Sequence, residues 1–134
     1  MNTEEKRIYV VVAATVQIGD YVTVEQPLGR QCAQVAHAVS KLRFEGDKFF
    51  FANEGPKPAY FQPITTIVKA CRDSAELDHI AALLYQKKLH PVAFYDTNEE
   101  AYGRDITVAT AVAVLMTKTE TYLTIDYLPM WGAE

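Results

Sequence analysis

The sequence predicts one α/β domain, a mixed, mostly parallel four-stranded sheet with helices on its faces. Three observations predict it. Short, β-branched apolar runs recur at residues 8–14, 64–70, 92–95 and 108–116. Amphipathic or cappable helical stretches separate the first three of them, the alternation that builds parallel sheets. The chain has 134 residues, of which 49% are hydrophobic and 22% charged. That is ordinary globular composition for a single domain over 1–134.

Residues 8–14 read Ile-Tyr-Val-Val-Val-Ala-Ala, apolar on both faces, as a covered central strand should be. The stretch 15–27 reads as a small hairpin turning at Ile18-Gly19-Asp20-Tyr21. A helix follows to about Arg43. On it Leu28, Cys32, Val35, Val39 and Leu42 recur at helical steps and form one apolar stripe. Arg30, Gln34, His37 and Lys41 recur in the same way on the other side. The first stripe is expected to pack on the sheet and the second to present hydrogen-bonding groups. Residues 44–63, with two glycines, three prolines and many aromatics, read as a long connection. Asp73, with Glu76 three residues on, can cap the next helix, which is expected to end near Lys87 and Lys88. Pro91 bars further helix before the third strand. Residues 96–100 then read as a polar loop. The tail, 117–134, carries Tyr122, Leu123, Ile125, Tyr127, Leu128, Met130 and Trp131, too apolar for a free end. It must cover the domain or a partner subunit.

Net charge is −4, unevenly spread: residues 26–72 sum to +4 and residues 73–134 to −6. The total argues against a general nucleic-acid binder, while the basic middle could meet a phosphate-bearing partner. Cys32 and Cys71 lie in apolar neighbourhoods and are expected to be buried, reduced thiols. The N-terminal residues lack the apolar core of a signal peptide, and no apolar run approaches membrane-spanning length, so a cytoplasmic protein with no membrane partner is expected. His37, His79 and His90 show no ligand spacing. No Gly-rich phosphate loop or nucleophile elbow is present. Neither metal nor cofactor is expected. What remains for chemistry is the polar stripe and Asp96, which sits where a strand ends; a carboxylate there can orient or deprotonate water.

The run Gly29-Arg30-Gln31-Cys32-Ala33-Gln34-Val35-Ala36-His37-Ala38 resembles the signature G-K-x-A-A-Q-C-x-H-A that opens the first helix of type 2 peptidyl-tRNA hydrolases. Gly29, Ala33, Gln34, His37 and Ala38 are in register. Thr66-Ile67-Val68-Lys69-Ala70 resembles that family's V-V-V-K-A strand. Asp96 falls where the family places the Asp of D-A-G-x-T, and Thr110 where a Thr opens the last strand. The resemblance covers about residues 7–116; the tail diverges. It implies hydrolysis of the ester between a peptidyl group and tRNA, with tRNA or peptidyl-tRNA as partner. By resemblance Asp96 would activate water, Arg30 would hold a phosphate or the substrate carbonyl, and Gln34 and Thr110 would complete the bonding around the ester. His37 and Lys41 would bind substrate, and Phe49, Phe50, Phe51 and Tyr60 could stack on a terminal base.

The departures also carry information. Arg30 replaces the family's lysine, a planar fork for a compact ammonium. Thr97-Asn98-Glu99-Glu100 replaces A-G-x-T, adding acids beside a polyanion's site. They leave two alternatives: a non-hydrolytic relative that binds RNA or another ligand, and a structural protein self-associating through 117–134.

Overall fold

The computed structural model describes residues 5–18, 22–49 and 65–132, without the side chains of 45–49, 99 and 101. Phe50, Phe51 and Tyr60, and most of the 44–63 connection, lie outside the described residues, as does the side chain of Phe49. The element order is β1 (Lys6–Ile18), β2 (Val22–Glu25), α1 (Leu28–Phe49), β3 (Thr66–Asp73), α2 (Ser74–Gln86), β4 (Val92–Thr97), α3 (Glu99–Tyr102), β5 (Thr107–Thr117) and α4 (Lys118–Tyr122).

The α/β composition stands, but the mostly parallel four-stranded sheet does not. The sheet has five strands, and three of its four pairings are antiparallel. Only β1 and β3 pair in parallel, with Val10 opposite Val68. The reason is where β5 goes. It inserts between β1 and β4 and runs antiparallel to both. β1, β3 and β4 therefore do point the same way, as strand–helix alternation requires, yet β4 meets β5 rather than a parallel neighbour. The connection from β4 to β5 spans only 98–106, shorter than the dozen or so residues a parallel crossover needs. The fifth strand is the arm of the hairpin expected in 15–27. Thr15 faces Asp73 of β3 and Glu25 of β2, so these lie on opposite sides of β1. β2 thus continues the edge that β5 leaves after Val12.

Alternation along β1 separates two cores. Ile8, Val10 and Val12 face α1, with Ala38 and Leu42 of the helix and Ala111, Ala113 and Leu115 of β5. The small β5 residues on that face let α1 sit close to the sheet. Tyr9, Val11 and Ala13 face α2, with Leu77, Ile80 and Leu84, and with Val112, Val114 and Met116 of β5. A third, smaller cluster of Val16, Tyr102 and Val108 fills the end of the sheet where β1, β3 and β4 finish.

Local chemistry fixes the helix ends. Pro27 precedes α1, and its carbonyl accepts the first bond, from the Gln31 amide at 3.0 Å. Asp73 caps α2 as its position predicts, its carboxylate accepting from the Glu76 amide at 2.8 Å. Lys88, with φ of 63°, turns the chain out of that helix. Thr117 and Glu120 form a reciprocal capping box at α4.

The tail folds onto its own molecule. Ile125 and Leu128 enter the α2-side core, and Trp131 packs against the α1-side core. Residues 129–131 run along the free edge of β3, with the Ala70 amide donating to the Pro129 carbonyl and the Trp131 amide to the Val68 carbonyl. The Trp131 indole donates to Gln31 Oε1 at 2.9 Å, tying the tail to α1. An exposed strand edge is a template for aggregation, and here the C-terminal segment occupies it.

Among the described residues, no helix is long and apolar enough to cross a membrane.

Candidate active site at the end of the sheet

The first helix buries only the later part of the stripe its pattern favours, where Leu42 is buried and Val35 and Val39 pack on the α1-side core. Leu28 is 65% exposed, Cys32 is exposed, and Val35 and Val39 are half-buried. The buried meridian runs through Gln34, Ala38 and Leu42, from the polar stripe at Gln34 to the apolar stripe at Leu42. Cys32 is thus a surface thiol, contrary to expectation, while Cys71 is buried as expected. The rotation turns one side of the polar stripe onto β4. Gln34 reaches Asp96, the His37 ring stacks on Phe94 with centroids 4.8 Å apart, and Lys41 donates to the Ala93 carbonyl at 2.9 Å. The helix therefore descends β4 residue by residue, and its polar groups cover the outer strand of the sheet.

The chemistry gathers at the top of this stripe. Asp96 lies on the α1 face of β4, one residue from its end. Its Oδ2 accepts two hydrogen bonds, from Gln34 Nε2 at 2.9 Å and from the Tyr102 hydroxyl at 3.0 Å. Gln34 is 3% exposed and its Oε1 has no partner among the described residues. Because a carboxylate only accepts, the amide nitrogen must face Asp96, which turns the amide oxygen away from it. Tyr102 comes from α3, just after Asp96. Burial pushes its hydroxyl up to about 12, the bond to Asp96 and the charge of Asp96 push it the same way, and Arg30 opposes them through its charge and a hydrogen bond. Tyr102 is therefore a proton donor across the neutral range, and Arg30 reaches the cluster through it.

Thr110 stands differently. Phe94 pairs with Ala111 while Tyr95 pairs with Ala109, so Thr110 is the extra residue of a β-bulge. It is wholly buried, and its hydroxyl lies 3.5 Å from the Phe94 carbonyl, at the outer limit of a hydrogen bond. The bulge also explains the packing, because it puts Ala109 and Ala111 in opposite cores.

Arg30, Gln34 and Asp96 therefore converge, Thr110 lies in the bulge of the adjacent strand, and His37 and Lys41 are engaged with β4 below. Tyr102 is a member that the sequence reading missed; the one signal was an aromatic six residues past Asp96 in an otherwise polar loop. Gln26 was missed as well. It is buried where α1 begins, donating to the Ala13 carbonyl at 2.8 Å, and its Oε1 also has no partner among the described residues. A cavity of about 510 Å³ opens just beyond Asp96, lined by Thr97, Asn98, Gly103, Asp105, Ile106 and Thr107. Gly103, with φ of 109°, shapes its wall; a Cβ there would be strained and would meet Ile106 at 3.2 Å.

Among the described residues, no group of three or more His, Cys, Asp or Glu is arranged to hold a metal. No protein-family model matches the chain, and no curated protein matches it in sequence.

Proposed function

We propose that the chain hydrolyses the ester of peptidyl-tRNA, with the Asp96 cluster as its catalytic centre. The observation that carries this reading is the bond between Gln34 and Asp96. Two residues 62 positions apart, each singled out by resemblance, share a hydrogen bond of 2.9 Å. In this reading Gln34 and Tyr102 hold Oδ2 and so orient the carboxylate, leaving Oδ1 to accept a proton from the attacking water. The ester carbon gains the hydroxide, the tetrahedral oxyanion is met by Arg30, and the ribose oxygen leaves with the proton that Asp96 took from the water. Turnover of a peptidyl-tRNA by the purified chain tests the reading; no release of free tRNA above background by correctly folded protein would refute it.

A second reading has its own support. Thr110 is sealed in the bulge, and Glu100 stands exposed four residues after Asp96. A relative that binds RNA or another ligand without cleaving it would carry these features. Salt-dependent tRNA binding without release of product would favour it over hydrolysis. Self-association through 117–134 has less support, since Ile125, Leu128 and Trp131 pack within the same molecule.

A further inference from the structure

A second concavity lies at the opposite end of the sheet, on the α2 face. Its volume is about 280 Å³, and Arg7, Lys69 and Lys118 all line it. Arg7 is near the start of β1, Lys118 follows the end of β5, and Lys69 projects from the middle of β3. Asp96, by contrast, lies near the start of β5. None of these residues belongs to the Asp96 cluster.

The charge of this cavity runs against that of the molecule. The chain carries −4 overall, yet among the described residues the cavity gathers three cations and a single acid, Asp126. The ion pairs found among the described residues engage only Arg72 and Arg104, so no carboxylate of those residues lies within 4.0 Å of Arg7, Lys69 or Lys118. Lys69 is 8% exposed. Its Nζ donates to the Leu128 carbonyl at 3.0 Å, a neutral acceptor that takes one of the three N–H bonds of an ammonium. A cation removed from water is costly unless an opposite charge meets it.

Shape and chemistry narrow the occupant. The volume lies just below the usual range for organic ligand sites, so the molecule is small. Buried Tyr9 and exposed Tyr122 add aromatic surface. Three positive charges against one negative leave a surplus of two, which matches a phosphate monoester at neutral pH. We propose that this cavity binds the dianionic phosphate of a small phosphorylated molecule, held by Lys69 from the floor and by Lys118 and Arg7 from the rim.

Phenyl phosphate is a suitable probe, titrated into the full chain by calorimetry, with benzyl alcohol as the uncharged control. The proposal expects saturable one-to-one binding with a Kd of ~1 mM or tighter, at least about tenfold weaker in Lys118→Ala and in Lys69→Met, and unchanged in Arg104→Ala. Lys118 is exposed, so its variant keeps the test valid should Lys69→Met fail to fold. Equal affinity in wild type and Lys118→Ala, absence of saturation by about 10 mM, or equal binding of benzyl alcohol would each overturn it.

Discussion

Tyr102 does two jobs at once. Its ring fills the small core under the end of the sheet, and its hydroxyl holds Asp96. Tyr102→Phe keeps the ring and removes only the bond. The expected cost is about 1.5–3 kcal/mol, because the acceptor is a charged group, read as a lower urea midpoint at unchanged slope. Protonation gives a second prediction. Tyr102 rises from its ordinary 10.0 to about 12, and burial raises the Cys71 thiol from 9.0 to about 12. The fold therefore holds both protons more tightly than the unfolded chain does. Their stabilisation is complete below about pH 9 and is lost as pH climbs toward 12, so the urea midpoint should fall over that window. A thiol reagent at about pH 8 should modify Cys32 in the native protein and reach Cys71 only on unfolding. Reaction of both thiols at one rate would contradict the burial of Cys71.

The elements show which signals the sequence carried and which it withheld. The Asp73 cap was legible because capping is local: one carboxylate, one amide, three residues apart. The burial of α1 was not. Its apolar stripe gave the buried face at Leu42, Val39 and Val35 but not toward the helix start, because Ala38 is too small to register in a periodicity and Gln34 is polar, yet both face the sheet. Gln34 is buried because Asp96 waits for it across 62 positions of chain, and spacing along a helix cannot report such a partner. The docking of the tail was legible only as a need to be covered. Its energetics can be tested at Leu128, which is 4% exposed. Leu128→Ala should cost about 2–5 kcal/mol. Trp131 is the one tryptophan of the chain, so the same variant should red-shift its fluorescence before global unfolding. Loss of stability without a shift in emission would mean that the tail is not held through Leu128.

At the scale of the molecule, strand order separates the α/β class, which the sequence carried, from the topology, which it half concealed. Apolarity on both faces marked β1 as central. The short link between β4 and β5 already forbade a parallel neighbour, and that length was the unused signal. The resulting sheet brings the ends of β1, β3 and β4 together with the start of α1, and it is there that Arg30, Gln34 and Asp96 meet. The fold thus accounts for a site assembled from distant segments, and the proposal of ester hydrolysis rests on it. Arg30 should matter through its charge, so Arg30→Lys is expected to keep more turnover than Arg30→Ala, which should lose roughly tenfold or more. The most direct test is Asp96→Asn, with peptidyl-tRNA turnover and thermal stability measured on the same samples. Turnover by the wild type is expected, with a loss of about 100-fold or more in the variant. The variant should have a lower Tm, because both bonds to Asp96 lose their charge, but should still be folded at the assay temperature. Equal turnover by the two proteins, or none by a folded wild type, would contradict ester hydrolysis at Asp96.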